Sequence, residues 1–253
     1  MWCPTTPPAS TRGSARSRSG RDDPYRGYYH WRDPAPDGGP PNNWVSAFGG
    51  PAWTFDDVTR QYYLHLFTAG QPDLNWDDGR VADEFDAILR FWLDRGVGGF
   101  RIDVANALVK APGLPDQPVR APGTEYRGGS AASRDWLRLD HVYDHDQPGM
   151  LAIHRRWRQV VTPYDALLLG EVYVLDPQVL ATYVRGQDGL HLLFWFSLVE
   201  SGWDPGRFED LLRVAAATVP HLAGCRAATT VPVRSRGTAA ARPDAGAPSP
   251  SPP

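Results

Sequence analysis

Cysteine is almost absent from this chain of 253 residues: there are two, Cys3 and Cys225, one in each compositionally unusual end segment. That leaves no case for a disulfide framework or a thiolate metal site, and it suits a reducing compartment. Long apolar runs are missing as well. The start, Met1-Trp2-Cys3-Pro4-Thr5-Thr6-Pro7-Pro8, has no hydrophobic stretch that could serve as a secretion signal, and nothing elsewhere approaches a membrane span. A cytoplasmic protein with no membrane partner is expected. Charge of one sign is also scarce. The net charge is −3 and no basic stripe alternates with aromatics, so nucleic acid is not expected as a partner. Lysine occurs once, at Lys110, against many arginines, a bias of GC-rich coding sequence.

What the chain does have is 42% hydrophobic residues, enough for one sizeable core, and ten Trp with ten Tyr. Such aromatics serve either as core or as surfaces on which the apolar faces of sugar rings stack. Residues 1 to about 20 and about 223 to 253 are built from Pro, Ala, Ser, Thr, Arg and Gly, without apolar periodicity. Both are expected to be disordered tails or out-of-frame flanks of a longer gene. Segment 21–76, dense in Tyr, Trp, Asn, Gly and Pro, reads as an irregular inserted subdomain ahead of a repeating unit over 77–222.

In that unit helix and strand alternate. Val81, Phe85, Ile88, Leu89, Trp92 and Leu93 recur at three and four residue steps, predicting a helix that starts near Asp77 or Asp78 and stops at Gly96. A strand follows over 99–104. After a Gly and Pro rich loop, Met150, Ile153, Trp157, Val160 and Val161 mark a second helix, and a strand follows over 166–174. Asp176-Pro177 opens a third helix, because Asp caps the first amides and Pro needs none. Residues 192–196 read as another strand, and Asp204-Pro205 opens a fourth helix. Strands apolar throughout and separated by helices imply an α/β fold with a parallel sheet, barrel or open.

Two of these strands deliver acids. Gly99-Phe100-Arg101-Ile102-Asp103-Val104-Ala105-Asn106 sets a carboxylate beside a guanidinium, and Leu167-Leu168-Leu169-Gly170-Glu171-Val172-Tyr173 supplies a second carboxyl. Paired carboxyl groups on neighbouring rigid strands are the minimum kit for glycosidic bond cleavage. Taken alone, Asp103 with Arg101 is also what a structural ion pair in a sheet looks like, and Glu171 could cap a helix or pair with an arginine.

These two segments, in this order, resemble the catalytic strands of the α-amylase family of glycoside hydrolases. Gln71-Pro72-Asp73-Leu74-Asn75-Trp76, preceded by Gln61-Tyr62-Tyr63-Leu64-His65-Leu66-Phe67, is similar to its oligo-1,6-glucosidase and α-glucosidase branch, as is the stretch Pro41-Asn42-Asn43-Trp44 to Phe48-Gly49-Gly50-Pro51-Ala52-Trp53. The resemblance covers about residues 21–222. It implies a (β/α)8 barrel, of which strands four to six are recognisable, and hydrolysis of α-glucosidic linkages in small oligosaccharides with retention and no cofactor. It makes Asp103 the nucleophile and Glu171 the acid/base, with Arg101 holding Asp103 ionised. Asn106 and Phe67 are then expected to face substrate, and Gln71, Asp73 and Asn75 to brace the site. Val104 resembles the α-1,6-cleaving members. Asp140, His141, Asp144, His145 and Asp146, which mix imidazole and carboxylate at short spacing, correspond in that branch to a polar approach to a helix, so no metal is expected.

The chain also departs from the family pattern. The third carboxylate of an Asn-His-Asp motif and the histidine of an earlier Asn-His motif are both missing. Gly98 stands where relatives usually have Asp, and Trp195 where they tend to have Asn. Weak or absent turnover is therefore expected from this chain alone. The alternatives are a related transglycosylase forming trehalose or an isomer of sucrose, or a non-catalytic remnant that binds sugar.

Overall fold

The computed structural model describes residues 11–121, 134–186 and 188–218. It begins with a short helix, α1 (Arg12–Ser17), inside the segment expected to be a tail. Thr11 caps it, its Oγ1 accepting from the Ser14 amide at 3.3 Å. Arg18 then pairs with buried Asp56 at 2.9 Å, and Arg26 donates to the Ser17 carbonyl at 2.7 Å. The expectation of a tail over 1–20 is thus corrected for 11–20, where polar anchors do what apolar periodicity does elsewhere. Residues 1–10 and 219–253 lie outside the described residues.

Segment 21–76 contains a small antiparallel sheet of β1 (Trp31–Arg32), β2 (Trp53–Asp56) and β3 (Gln61–Leu64), with β3 in the middle. Trp31 pairs with Tyr63, and Trp53 with Leu64. Beneath it Trp44, Trp53, Leu64 and Leu66 form a buried cluster with Ala107, Leu114 and Trp136 from the repeating unit. The subdomain therefore shares a core with the segment between the strand at 99–102 and the strand at 167–170.

The α/β unit follows in chain order: α2 (Gly79–Leu93), β4 (Gly99–Ile102), α3 (Arg134–Leu137), α4 (Met150–Val161), β5 (Leu167–Gly170), α5 (Pro177–Thr182), β6 (Leu192–Leu193), α6 (Phe196–Glu200) and α7 (Pro205–Thr218). Helix α2 starts at the Asp78 cap and is followed by Gly96 at φ +85°, as its sequence dictates. Asp176 caps α5 by accepting from the Gln178 amide at 2.8 Å.

Strands β4, β5 and β6 are parallel and adjacent, Gly99 facing Leu167 and Leu169 facing Leu192. A Cβ on Gly99 would lie 2.7 Å from the Leu167 carbonyl oxygen, so glycine is what lets the two strands approach at their start. The expected strand over 192–196 is corrected: only Leu192–Leu193 pairs with β5, and the chain turns into α6 at Phe196. Helices α2 and α4 pack on each other, tied by Arg156 to Asp83 at 2.5 Å and to Asp86 at 3.1 Å. Between them and the sheet, Trp157 is fully buried with Trp76 at 5.4 Å and Phe85 at 6.3 Å between ring centroids. Burying such large apolar area is the main stabilising contribution.

Candidate active site

Parallel register brings the two acids together. Ile102 faces Gly170, so the next residue on each strand, Asp103 after β4 and Glu171 after β5, emerges beside the other at the strands' C-terminal ends. The backbone knits there: the Glu171 amide donates to the Ile102 carbonyl and the Ala105 amide to the Glu171 carbonyl, both at 2.8 Å. A Cβ on Gly170 would lie 2.5 Å from Leu190 Cδ1 and 3.0 Å from Leu193 Cδ2, so any larger residue just before Glu171 would have to displace these leucine side chains.

The Asp103 and Glu171 carboxyl groups share a hydrogen bond. Arg101 spans the pair: its Nη2 bonds Glu171 Oε2, and its Nη1 lies 2.8 Å from Asp103 Oδ1, off the hydrogen-bonding direction and so an ion pair. All three side chains are about a quarter exposed, between 25% and 27%, which leaves them accessible to a substrate. Burial first, then the hydrogen bond and charge of Asp103, push Glu171 up to about 7, against the opposing pull of Arg101 and the Val104 amide. A protonated Glu171 beside a carboxylate is how two like side chains acquire different roles. Contact between the carboxyls leaves no slot for the water that an inverting pair, roughly 6.5–9.5 Å apart, must hold.

Val104 has φ +45°, a left-handed conformation that a β-branched residue rarely adopts. The Val104 amide hydrogen-bonds the Glu171 carboxyl, so the strain, about 1–3 kcal/mol, sits beside that contact. Behind it, His154 is buried and its Nε2 bonds the Ala105 carbonyl at 2.9 Å, a support that nothing in the sequence singled out.

Asn106 does not face the site. It is 3% exposed and its Nδ2 donates to Asp146 Oδ1 at 3.3 Å, an oxygen that also accepts from the Tyr183 hydroxyl. The expected substrate contact is corrected to bracing of the loop after β4, because the turn after Val104 directs the Asn106 amide inward. Phe67 is half-buried and packs, as Val104 does, against the cluster beneath the subdomain. Arg101 lies over the Phe194 ring at 5.7 Å from its centroid. Phe196 follows at 6.2 Å and stacks on Tyr173 at 4.3 Å, giving an aromatic shelf beside Glu171. Its signal in sequence was the alternation Phe194, Phe196, hidden within an apolar run.

Asp73, expected to brace, does so through Lys110. Lys110 Nζ lies 2.9 Å from Asp73 Oδ1 and donates to the Ala107 carbonyl at 2.5 Å, while Asp73 Oδ2 accepts from the Leu66 amide at 2.6 Å. Asn75 donates to the Gly27 carbonyl at 3.0 Å, and Gln71 accepts from Thr68 at 3.1 Å.

His141, Asp144 and His145 have potential ligand atoms within 4.8 Å of one another. Their lone pairs are engaged internally: both Asp144 oxygens meet imidazole Nδ1 atoms at 2.8 Å, and His141 Nε2 meets the Trp136 carbonyl at 3.0 Å. Burial alone would raise Asp144, but the two imidazoles outweigh it and hold its carboxyl well below the usual range. Likewise burial disfavours charge on His145, and the Asp144 carboxylate overcomes this to raise it. The trio is a hydrogen-bonded network centred on Asp144 beneath Trp136, on which His141 stacks with ring centroids 3.5 Å apart.

With this geometry in place, a profile of the alpha-amylase catalytic domain matches residues 10–222. The chain belongs to that family. Strands β4 to β6 with their helices are therefore an arc of its (β/α)8 barrel. Among curated relatives, the chain is 37% identical over 195 residues to an alpha-glucosidase of Candida albicans, covering 75% of this chain and 32% of the relative. It is 38% identical over 196 residues to an oligo-1,6-glucosidase of Parageobacillus thermoglucosidasius, covering 77% and 33%. Among solved structures it matches the alpha-glucosyl transfer enzyme XgtA with a TM-score of 0.79 at 34% identity, covering 85% of this chain and 40% of that one. The chain thus spans about a third of the length of the curated relatives it matches. Among the described residues no helix is long and apolar enough to cross a membrane.

Proposed function

We propose that this chain carries the nucleophile and the acid/base of a retaining α-glucosidase or oligo-1,6-glucosidase acting on small α-glucoside oligosaccharides. The observation that carries the reading is the hydrogen-bonded Asp103–Glu171 pair under Arg101, with Glu171 raised to about 7.

Asp103 attacks the anomeric carbon as Glu171 gives its proton to the departing glycosidic oxygen, leaving a glucosyl ester on Asp103. Glu171, now ionised, takes a proton from water, whose oxygen attacks the same carbon and releases Asp103. Two inversions give net retention. Arg101 keeps Asp103 anionic between cycles, and Phe67 lines the sugar pocket. The cytoplasmic location expected from composition is part of the same proposal.

The chain by itself turns over slowly or not at all, since catalytic groups that act as a unit fail together and the third carboxylate motif is absent from its sequence. The test is therefore a chimera in which residues 10–222 replace the matching third of the Parageobacillus thermoglucosidasius oligo-1,6-glucosidase. It should hydrolyse p-nitrophenyl α-glucoside with retention, and Asp103→Asn should lower the rate by about 10⁴-fold or more. A folded chimera without turnover would overturn the assignment.

A transglycosylase reading is favoured by the aromatic shelf of Tyr173, Phe194 and Phe196 and by the likeness to an alpha-glucosyl transfer enzyme. A shelf of this kind holds an acceptor sugar where water would otherwise attack. The ratio of transfer products to glucose released by the same chimera separates the two.

A further inference from the structure

Away from the carboxyl pair, a cavity of about 430 Å³ opens between the antiparallel subdomain and the backbone at 111–114. That is within the size range of sites for small molecules. None of Asp103, Glu171, Arg101 or Phe67 lines it. Its wall is cationic. Arg21, Arg26 and Arg32 all contribute, against the single rim carboxylate of Asp77 among the lining residues.

The three guanidiniums are differently occupied. Arg21 is already paired with Asp33 at 3.1 Å. Arg26 bonds only uncharged acceptors, the Ser17 carbonyl, Thr59 and Gln61, and it lies flat over the Trp31 ring at 3.4 Å from the centroid. Burial lowers it to about 10, a sign of charge held without a contacting carboxylate. Arg32 bonds only the Trp31 carbonyl, at 2.8 Å, and its guanidinium is otherwise open to the cavity and solvent.

His30 backs this wall. It is 6% exposed, one ring nitrogen donates to the Leu74 carbonyl, and Nε2 is enclosed by protein with no hydrogen-bond partner among the described residues. Burial, with the charges of Lys110 and Arg32, lowers this imidazole to about 3, so it is neutral and adds no charge to the wall. The wall thus presents guanidiniums suited to an oxyanion.

We propose that this cavity is a binding site for a small oxyanion, a sugar phosphate or free hydrogen phosphate, whose anionic end meets Arg26 and Arg32. Because the subdomain and the loop after β4 each supply a wall, occupancy fastens one to the other and raises the stability of the whole by mass action. The proposal does not depend on the glycosidase reading.

The test is titration calorimetry of the intact chain with glucose 6-phosphate, inorganic phosphate and glucose, each paired with a thermal unfolding scan. Both phosphates should bind and raise the unfolding temperature, and glucose should do neither. Tighter binding of glucose 6-phosphate identifies a sugar phosphate as the ligand, and equal binding identifies the free anion. Arg32→Gln, which removes one contact to the neighbouring Trp31 carbonyl, should weaken binding about tenfold while leaving the unliganded unfolding temperature unchanged. Binding of glucose as tight as either phosphate, no binding of any of the three, or unchanged affinity in a folded Arg32→Gln would overturn the proposal.

Discussion

Lys110 and Asp73 form an ion pair at 2.9 Å in which both side chains are 1% exposed, and it joins the inserted subdomain to the loop that leaves β4. Both partners make a further contact: the lysine also reaches the Ala107 carbonyl, and the carboxylate also holds the Leu66 amide next to Phe67. The pair therefore fixes the distance between the subdomain's aromatic residue and Asp103.

Removing one partner strands a charge where water cannot reach it. Lys110→Met should destabilise the chain by about 3–5 kcal/mol in urea unfolding, and adding Asp73→Leu should recover part of that loss. A single variant as stable as the wild type would show that the pair contributes nothing beyond what water provides.

Much of this arrangement was legible in sequence where the signal was local. The Asp78 cap, the Gly96 stop and the Asp176-Pro177 start each act through neighbouring backbone, and each element forms where its punctuation places it. The acids were legible because each follows an apolar strand, β4 being interrupted by Arg101 alone. What the sequence hid is set by distant partners. Helix α1 has no apolar stripe and is held by Asp56 and Arg26 from the subdomain. Asn106 faces inward because Asp146, forty residues later, is there to receive it. The Lys110–Asp73 pair joins positions 37 apart, and no periodicity reports such a contact.

The network beneath Trp136 makes a second prediction. Asp144→Ala leaves two imidazoles facing a vacant, fully buried position, so a loss of about 3–5 kcal/mol is expected, together with loss of the His141–Trp136 stack. Near-ultraviolet circular dichroism follows the tryptophan environment as urea unfolding follows stability. An unchanged spectrum and midpoint would contradict the role given to Asp144.

Gly170 is a packing prediction. Alanine there would press its methyl into Leu190 and Leu193 at the base of Glu171, so Gly170→Ala should destabilise by about 1–3 kcal/mol and displace the acid/base. Gly79, at the exposed start of α2, has open space around it, and Gly79→Ala should be neutral or slightly stabilising. Equal effects of the two in thermal unfolding would refute the crowding argument.

The pH dependence has a definite sign. Glu171 is raised from 4.5 to about 7 in the fold, so between those values the folded chain holds a proton that the unfolded chain has lost. Its contribution is full below pH 4.5 and declines as pH rises through 7. Unfolding free energies from pH 5 to 8 should fall more steeply for the wild type than for Glu171→Gln. Parallel profiles for the two proteins would remove Glu171 as the titrating group.

The most direct measurement is a carboxyl carbon NMR titration of Glu171 in the wild type and in Asp103→Asn. If the two acids share a proton as nucleophile and acid/base, Glu171 titrates near 7 in the wild type and well below that once the Asp103 charge is gone. Titration near 4.5 in both proteins would contradict the shared proton, and with it the division of labour on which the proposed chemistry rests.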